Sequence, residues 1–309
     1  MNSVLSKSTF SGIIIALLSA IAFGLYPPAA KMAYAEGGNS TFVIIATTFA
    51  RAAILSCYCL VKGQRLLPKP GKWRVTFTGG FFQALSIFGI ISSLRYLPGP
   101  IMIIILFSHT IMLLFFLAYK GEIRLTRLAV LTTLCALLGL SFVLDAWSQD
   151  SHLSLLGLGL ALIGAIATMS RLYIFGKQVL TLPPAVVGAQ TFSMALLFIV
   201  LLALVEKPVP PATALGLFWT LVCCMSLAAG SFGTFFGIAI LGSFRWSLFL
   251  KFEPIFTAFF SVLILNEILQ LSQYFGMLLV LGSLVTYQIF ESRTKTVPAA
   301  LIVTDPESI

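Results

Sequence analysis

Residue types that do chemistry stand where lipid ought to be. Between Ser243 and Glu267 the chain reads SFRWSLFLKFEPIFTAFFSVLILNE, an apolar run long enough to cross a bilayer that contains Lys251, Glu253 and Pro254 and closes on Glu267. A charge at membrane depth costs roughly 2.5 to 3.5 kcal/mol on insertion scales, so such residues face a protein interior or a wet cavity. Glu253 lies about nine residues into the run, or roughly 13 Å deep at helical rise. Lys251 is about 200° around the helix from it, so the two cannot pair on one face. Either Lys251 snorkels to the nearer surface, or it faces the same interior as the carboxylate. The partner of Glu253 must come from another helix, with Arg51 and Lys31 as candidates.

Other polar groups fall at similar depth in other apolar runs. Arg51 carries a fixed donor fork suited to a carboxylate, and it also suits a structural ion pair. His109 could exchange a proton near neutral pH or simply hydrogen-bond between helices. Tyr26 and Gln83 are candidate cavity residues, as is Lys31, with Ser86, Gly230, Ser231 and Gly233 as polar or close-packing positions. Arg171, near the end of its run, is explained by snorkelling. Proline removes a backbone donor and tends to kink a helix. Pro254 is therefore a candidate hinge, and Pro27 and Pro28 predict a second break.

The elements that must position these groups follow from composition. Of 309 residues 59% are hydrophobic and 9% charged, too few charges to solvate a globule of this size. The net charge of +9 sits mostly in short loops, which reads as a topology signal and excludes a nucleic-acid footprint. Cys57, Cys59, Cys135, Cys223 and Cys224 all fall in apolar runs without zinc-site spacing, so buried apolar packing is expected of them.

Ten apolar segments are predicted, near 12–33, 42–61, 74–94, 100–119, 128–145, 153–175, 183–205, 212–240, 245–266 and 271–290. An all-α integral membrane protein with ten transmembrane helices follows, since helices satisfy their backbone segment by segment. Lys7 and the apolar run to Ala20-Ile21-Ala22 resemble a cleavable signal peptide, but the likeness is accidental, since the same wording recurs where no signal peptide can act. The sixth segment, deep in the chain, repeats that wording as ALIGAIA against ALLSAIA, at a shift of 145 residues. The same shift carries Glu122 onto Glu267 and His109 onto Pro254, while Thr48-Phe49 finds Thr191-Phe192 at 143. The chain thus reads as two five-helix halves, 10–146 and 153–290, with a polar tail at 291–309 expected to be disordered. An odd number of spans per half inverts the second, giving a 5+5 inverted-topology repeat of the kind secondary transporters use.

Loop charge orients the bundle. Lys7, Lys62, Arg65, Lys69, Lys72, Arg74, Lys120, Arg124, Arg127, Lys177, Arg293 and Lys295 fall on the side of the N-terminus, and only Arg95 and Lys207 on the other. Twelve against two places both termini in the cytoplasm, the tail with them. Trp73, Trp147 and Trp246 stand near predicted ends as interfacial anchors.

Ala22-Phe23-Gly24 with Lys31, Arg51, and above all Glu253-Pro254 followed by Asn266-Glu267 resemble the EamA-type group of the drug/metabolite transporter superfamily, over about residues 10 to 290. The resemblance implies ten helices around a central cavity lined mainly by the first, third, fourth, sixth, eighth and ninth. It implies movement, often export, of small metabolites such as amino acids, and here a multi-pass protein of the bacterial inner membrane. The pattern usually has proline where this chain has His109, which puts the symmetry of the two cavity halves in doubt.

The expectation is a secondary carrier of small organic solutes working by alternating access, with lipid around it and protons as a candidate coupling ion, as monomer or homodimer. A lipid or lipid-linked sugar flippase is the alternative within transport. An integral membrane enzyme is the alternative outside it, against which stand the lack of HExxH, of a repeated aspartate motif and of a phosphate loop. No cofactor and no metal are expected, for of His109 and His152 only the first is at membrane depth.

Overall fold

The computed structural model describes residues 2–68, 73–93, 96–97, 99–146, 154–204, 206–266 and 268–293. Among these there are twelve α-helices and no strand. They are α1 (Asn2–Ala35), α2 (Ser40–Val61), α3 (Trp73–Ser93), α4 (Gly99–Phe107), α5 (His109–Tyr119), α6 (Arg127–Val143), α7 (Leu155–Gln178), α8 (Pro184–Val200), α9 (Ala214–Leu241), α10 (Ser243–Phe249), α11 (Glu253–Leu265) and α12 (Leu271–Arg293). Seven helical stretches are long and apolar enough to cross a membrane, counting α4 with α5 and α10 with α11 as one each. Three shorter apolar helices, Arg127–Val143, Pro184–Val200 and Leu271–Tyr287, accompany them. The chain is a multi-pass membrane protein.

Helix starts are set by local chemistry. Asn39, Thr126, Ser154 and Thr213 stand in extended backbone before α2, α6, α7 and α9, and each side chain accepts a hydrogen bond from an N–H of the first turn. These are ordinary N-caps that satisfy donors the helix leaves open. α11 ends on Asn266, whose left-handed φ of 54° closes the helix.

Small residues set the packing. A Cβ added to Gly89 of α3 would lie 2.6 Å from the backbone nitrogen of Gly164 in α7, so the two backbones touch. Gly139 of α6 and Gly276 of α12 meet the same way, each Cβ falling on the other's carbonyl oxygen at 2.8 and 2.5 Å. In lipid, such contact replaces the hydrophobic drive that joins soluble helices.

Several expectations are corrected. α1 stays helical through Pro27 and Pro28 where a break is predicted; packing against neighbours lets a membrane helix hold proline without ending. Trp246 is fully buried against Gly237, whose missing side chain leaves room for the indole, so it is a core residue and no interfacial anchor. Cys57 and Cys135 are exposed on the outer helix surface, and only Cys59, Cys223 and Cys224 are buried. The sequence readings at Lys69, Lys72, Arg95, Trp147, His152, Glu267 and Lys295, and the tail from 294, lie outside the described residues.

The backbone contact of α3 with α7 is testable. Gly89→Val must push the helices apart and should cost about 1–3 kcal/mol of stability, the usual range for overpacking. Gly159→Ala, with nothing within 4 Å of the new Cβ, should leave the thermal midpoint in detergent unchanged.

Candidate functional site

The two helices that carry the central charges are both discontinuous. α10 passes into a 3₁₀ turn at Leu250–Phe252 before α11 begins at Glu253, with Pro254 in its first turn. The missing N–H of Pro254 explains this break. α4 stops at Phe107 and α5 starts at His109, without any proline. Here side chains do the work. Ser108 Oγ donates to the Ile105 carbonyl at 2.6 Å, and His109 Nδ1 to the Leu106 carbonyl at 2.7 Å. Carbonyls that a helix break would expose are thereby satisfied. Ser108 and Glu253 are 145 residues apart, and at that shift the 3₁₀ turn at Leu250–Phe252 falls on residues 105–107, so the two interruptions lie next to each other.

A carbonyl can only accept, so Nδ1 of His109 carries a proton and Nε2 is left to the interior. Nε2 is buried and has no hydrogen-bond partner among the described residues.

Between these breaks lies a cavity of about 800 Å³. It is lined from α1, α2, α3, α4, α5, α7, α8, α9, the 3₁₀ turn and α11, so the second and seventh apolar segments join the six that the resemblance implies. Among the described residues, α6 and α12 contribute nothing to the wall. Phe23, Tyr26, Pro27 and Ala30 of α1 line it, and so do the residues 145 positions on, Thr168, Arg171, Leu172 and Phe175 of α7.

Lys31, Tyr34, Ser40 and Glu206 mark one end, where α1 stops and α2 begins. The other end is shut by aromatic rings. Phe175 and Phe235 lie 4.9 Å apart between centroids, and Phe192 and Phe235 6.1 Å, all three buried. Trp246 and Leu248, fully buried in the same apolar cluster, extend the seal toward the N-terminal end of α1.

Most predicted residues meet here. Arg51 is buried on the wall, its Nε donating to the Thr47 carbonyl and its Nη2 to Thr48 Oγ1, both at 3.1 Å. Its guanidinium lies 4.5 Å from the centre of the Phe192 ring. Three of its five N–H groups remain for a ligand. Tyr26, Gln83, Lys31, His109 and Glu253 line the cavity too, as do Pro27 and Ser231. Pro28 and Pro254 are buried behind the wall.

Two snorkelling readings fail. Arg171 faces the cavity, where its Nη1 donates to Gln83 Oε1 at 3.3 Å, and it shares that wall with Glu253. Neither Arg51 nor Lys31 pairs with Glu253, whose carboxylate has no hydrogen-bond or salt-bridge partner among the described residues. Arg171 is the residue the sequence reading missed, and the repeat shift that maps Tyr26 onto it was the available signal. Lys251 is fully buried, outside the cavity wall, with Nζ 5.7 Å from the Phe107 ring centre and no hydrogen bond among the described residues. Its burial corrects the surface reading, and in this structure it stands apart from the cavity wall. Among the described residues no three His, Cys, Asp or Glu side chains converge as metal ligands would.

Arg51, Arg171 and Glu253, set among aromatic, aliphatic and hydroxyl-bearing side chains and apart from Lys31 and Glu206 at the end of the cavity, can hold a small solute with a carboxylate and an apolar body, with the guanidiniums as anchors.

A family model described as the EamA-like transporter family matches residues 10–145 and 155–287. No curated protein matches the sequence. Solved structures share the fold: one, described only as the crystal structure of a protein, superposes with a TM-score of 0.78 at 16% identity, covering 93% of this chain and 99% of its own.

If side chains satisfy the α4–α5 break, Ser108→Ala and His109→Ala should each lower the unfolding free energy by about 1–3 kcal/mol, the cost of an unpaired buried polar group. Thermal melts in detergent measure it, and Ser108→Thr, which keeps the hydroxyl, should melt close to the parent.

Proposed function

The chain belongs to the EamA-like transporter family, and from that premise we propose that it is a secondary carrier of small carboxylate-bearing organic solutes, amino acids or related compounds, working by alternating access. The observation that carries this is the cavity that is open at one end, shut by rings at the other, and furnished at mid-depth with Arg51, Arg171 and Glu253. The seven long and three shorter apolar helices read as ten spans in two inverted sets of five. The paired wall positions of α1 and α7 and the adjoining breaks support that plan.

Arg51 and Arg171 anchor the solute carboxylate, while Glu253 takes a solute amine where there is one. The aromatic walls from Phe23, Phe107, Phe175 and Phe192 hold the apolar body. Breaks at Ser108 and at Leu250–Phe252 let each half of a span tilt by itself, so Pro254 acts as a hinge. With both termini cytoplasmic and the protein in a bacterial inner membrane, the open end faces outward and the ring seal faces the cytoplasm.

Purified protein in liposomes should exchange labelled phenylalanine or phenylacetate saturably. Arg51→Gln should raise the KM about 10- to 100-fold, as loss of a charge-assisted bond predicts. Absence of saturable flux for these probes and for a wider panel of amino and carboxylic acids, with and without a pH gradient, would sink the proposal. A protease-cleavable tag at the C-terminus should be cut in inverted membrane vesicles and protected in spheroplasts.

A further inference from the structure

Lys251 plays no part in the cavity wall, and nothing around it accounts for a charge. At 145 residues its counterpart in the first half is Leu106, which does line the cavity. In a carrier built from two inverted halves, the opposite conformation is reached when the halves exchange their arrangements. The position of Leu106 then becomes dry and that of Lys251 becomes cavity-facing. An ammonium would be hydrated in one state and stranded without an acceptor in the other, a cost that neutralisation removes.

We propose that Lys251 is a conformation-linked proton site: its ammonium gives up one proton on entering the present conformation and regains it on leaving. This extends the alternating-access reading and rests on it. In the release step the Nζ–H bond breaks, the lysine keeps the electron pair as a neutral amine, and the proton passes to cavity water while Lys251 still faces it, before the side chain becomes buried. Phe107 lines the cavity and the lysine Nζ lies 5.7 Å from its ring centre, so Lys251 stands directly behind the wall.

The charged and titratable groups on the surrounding elements give the ammonium no acceptor. His109 on α5 and Arg171 on α7 are basic, as is Arg245 on α10, which has interactions of its own. Glu253 starts α11 about 200° around from Lys251. Tyr26 of α1 lies on the cavity wall, and Tyr287 of α12 packs edge-on against Phe244. Among the described residues, no side chain or backbone oxygen bonds the lysine Nζ.

The test needs no substrate. Leu106→Cys, in liposomes, reports the present conformation by its rate of maleimide labelling relative to the same protein without the substitution. With Lys251 in place the rate should rise with pH between 6 and 9 more steeply than in a Lys251→Met background, by up to about tenfold per pH unit, the ceiling for linkage to one proton. Lys251→Arg, which stays charged, should keep the introduced thiol protected throughout, while Lys251→Met should leave it readily labelled at every pH. Identical pH responses with lysine and methionine, or an arginine variant labelled as readily as the methionine one, overturn the proposal. Flux that is saturable yet labelling that is indifferent to Lys251 leaves the carrier reading intact and removes only this one. Labelling that follows Lys251 without any flux does the reverse.

Discussion

Hydrocarbon offers a peptide group nothing to bond with, so every interruption of a membrane helix must be satisfied from within the protein. This constraint shapes the molecule. The two interruptions at membrane depth, at Ser108 and at Leu250–Phe252, can exist only where the bundle turns inward, and the cavity lies where they meet. The polar groups follow the same logic, since a guanidinium or a carboxylate at this depth needs either partners or water.

One geometry is reached by two chemistries. At α11 the break comes from a proline that has no N–H to give. At α5 there is no proline, and a serine and a histidine occupy with their side chains the carbonyls of the turn before the break. The difference has a functional side. The proline half is chemically inert at its break, whereas the histidine half keeps a ring nitrogen facing the interior.

Much of this was legible in the sequence because it follows from periodicity and cost. Apolar runs near twenty residues located the seven long and three shorter apolar helices, and Glu253 and Arg51 stood out because charge is rare there. Arg171 was hidden by its closeness to the end of its run, where snorkelling explains an arginine cheaply; only strict use of the 145-residue shift brings it opposite Tyr26. Lys251 and Trp246 were misplaced for a different reason. Position along a run tells how deep a side chain sits, but which way it points depends on how α10 is rotated against its neighbours, and that is decided by features such as Gly237. The break at Ser108 left no trace, since neither serine nor histidine disrupts helices by itself.

Arg51 is tied down by its own helix, through Thr47 and Thr48, and flattened on Phe192 before any solute arrives. A free arginine would surrender rotamer freedom on capture, about 0.5–1.5 kcal/mol for a side chain immobilised at an interface. Here that entropy is already lost on folding. A carboxylate solute of the kind proposed above would meet a rigid anchor, and discrimination among anions would then be made by the fit of the rest of the molecule to the opposite wall rather than by adjustment of the arginine.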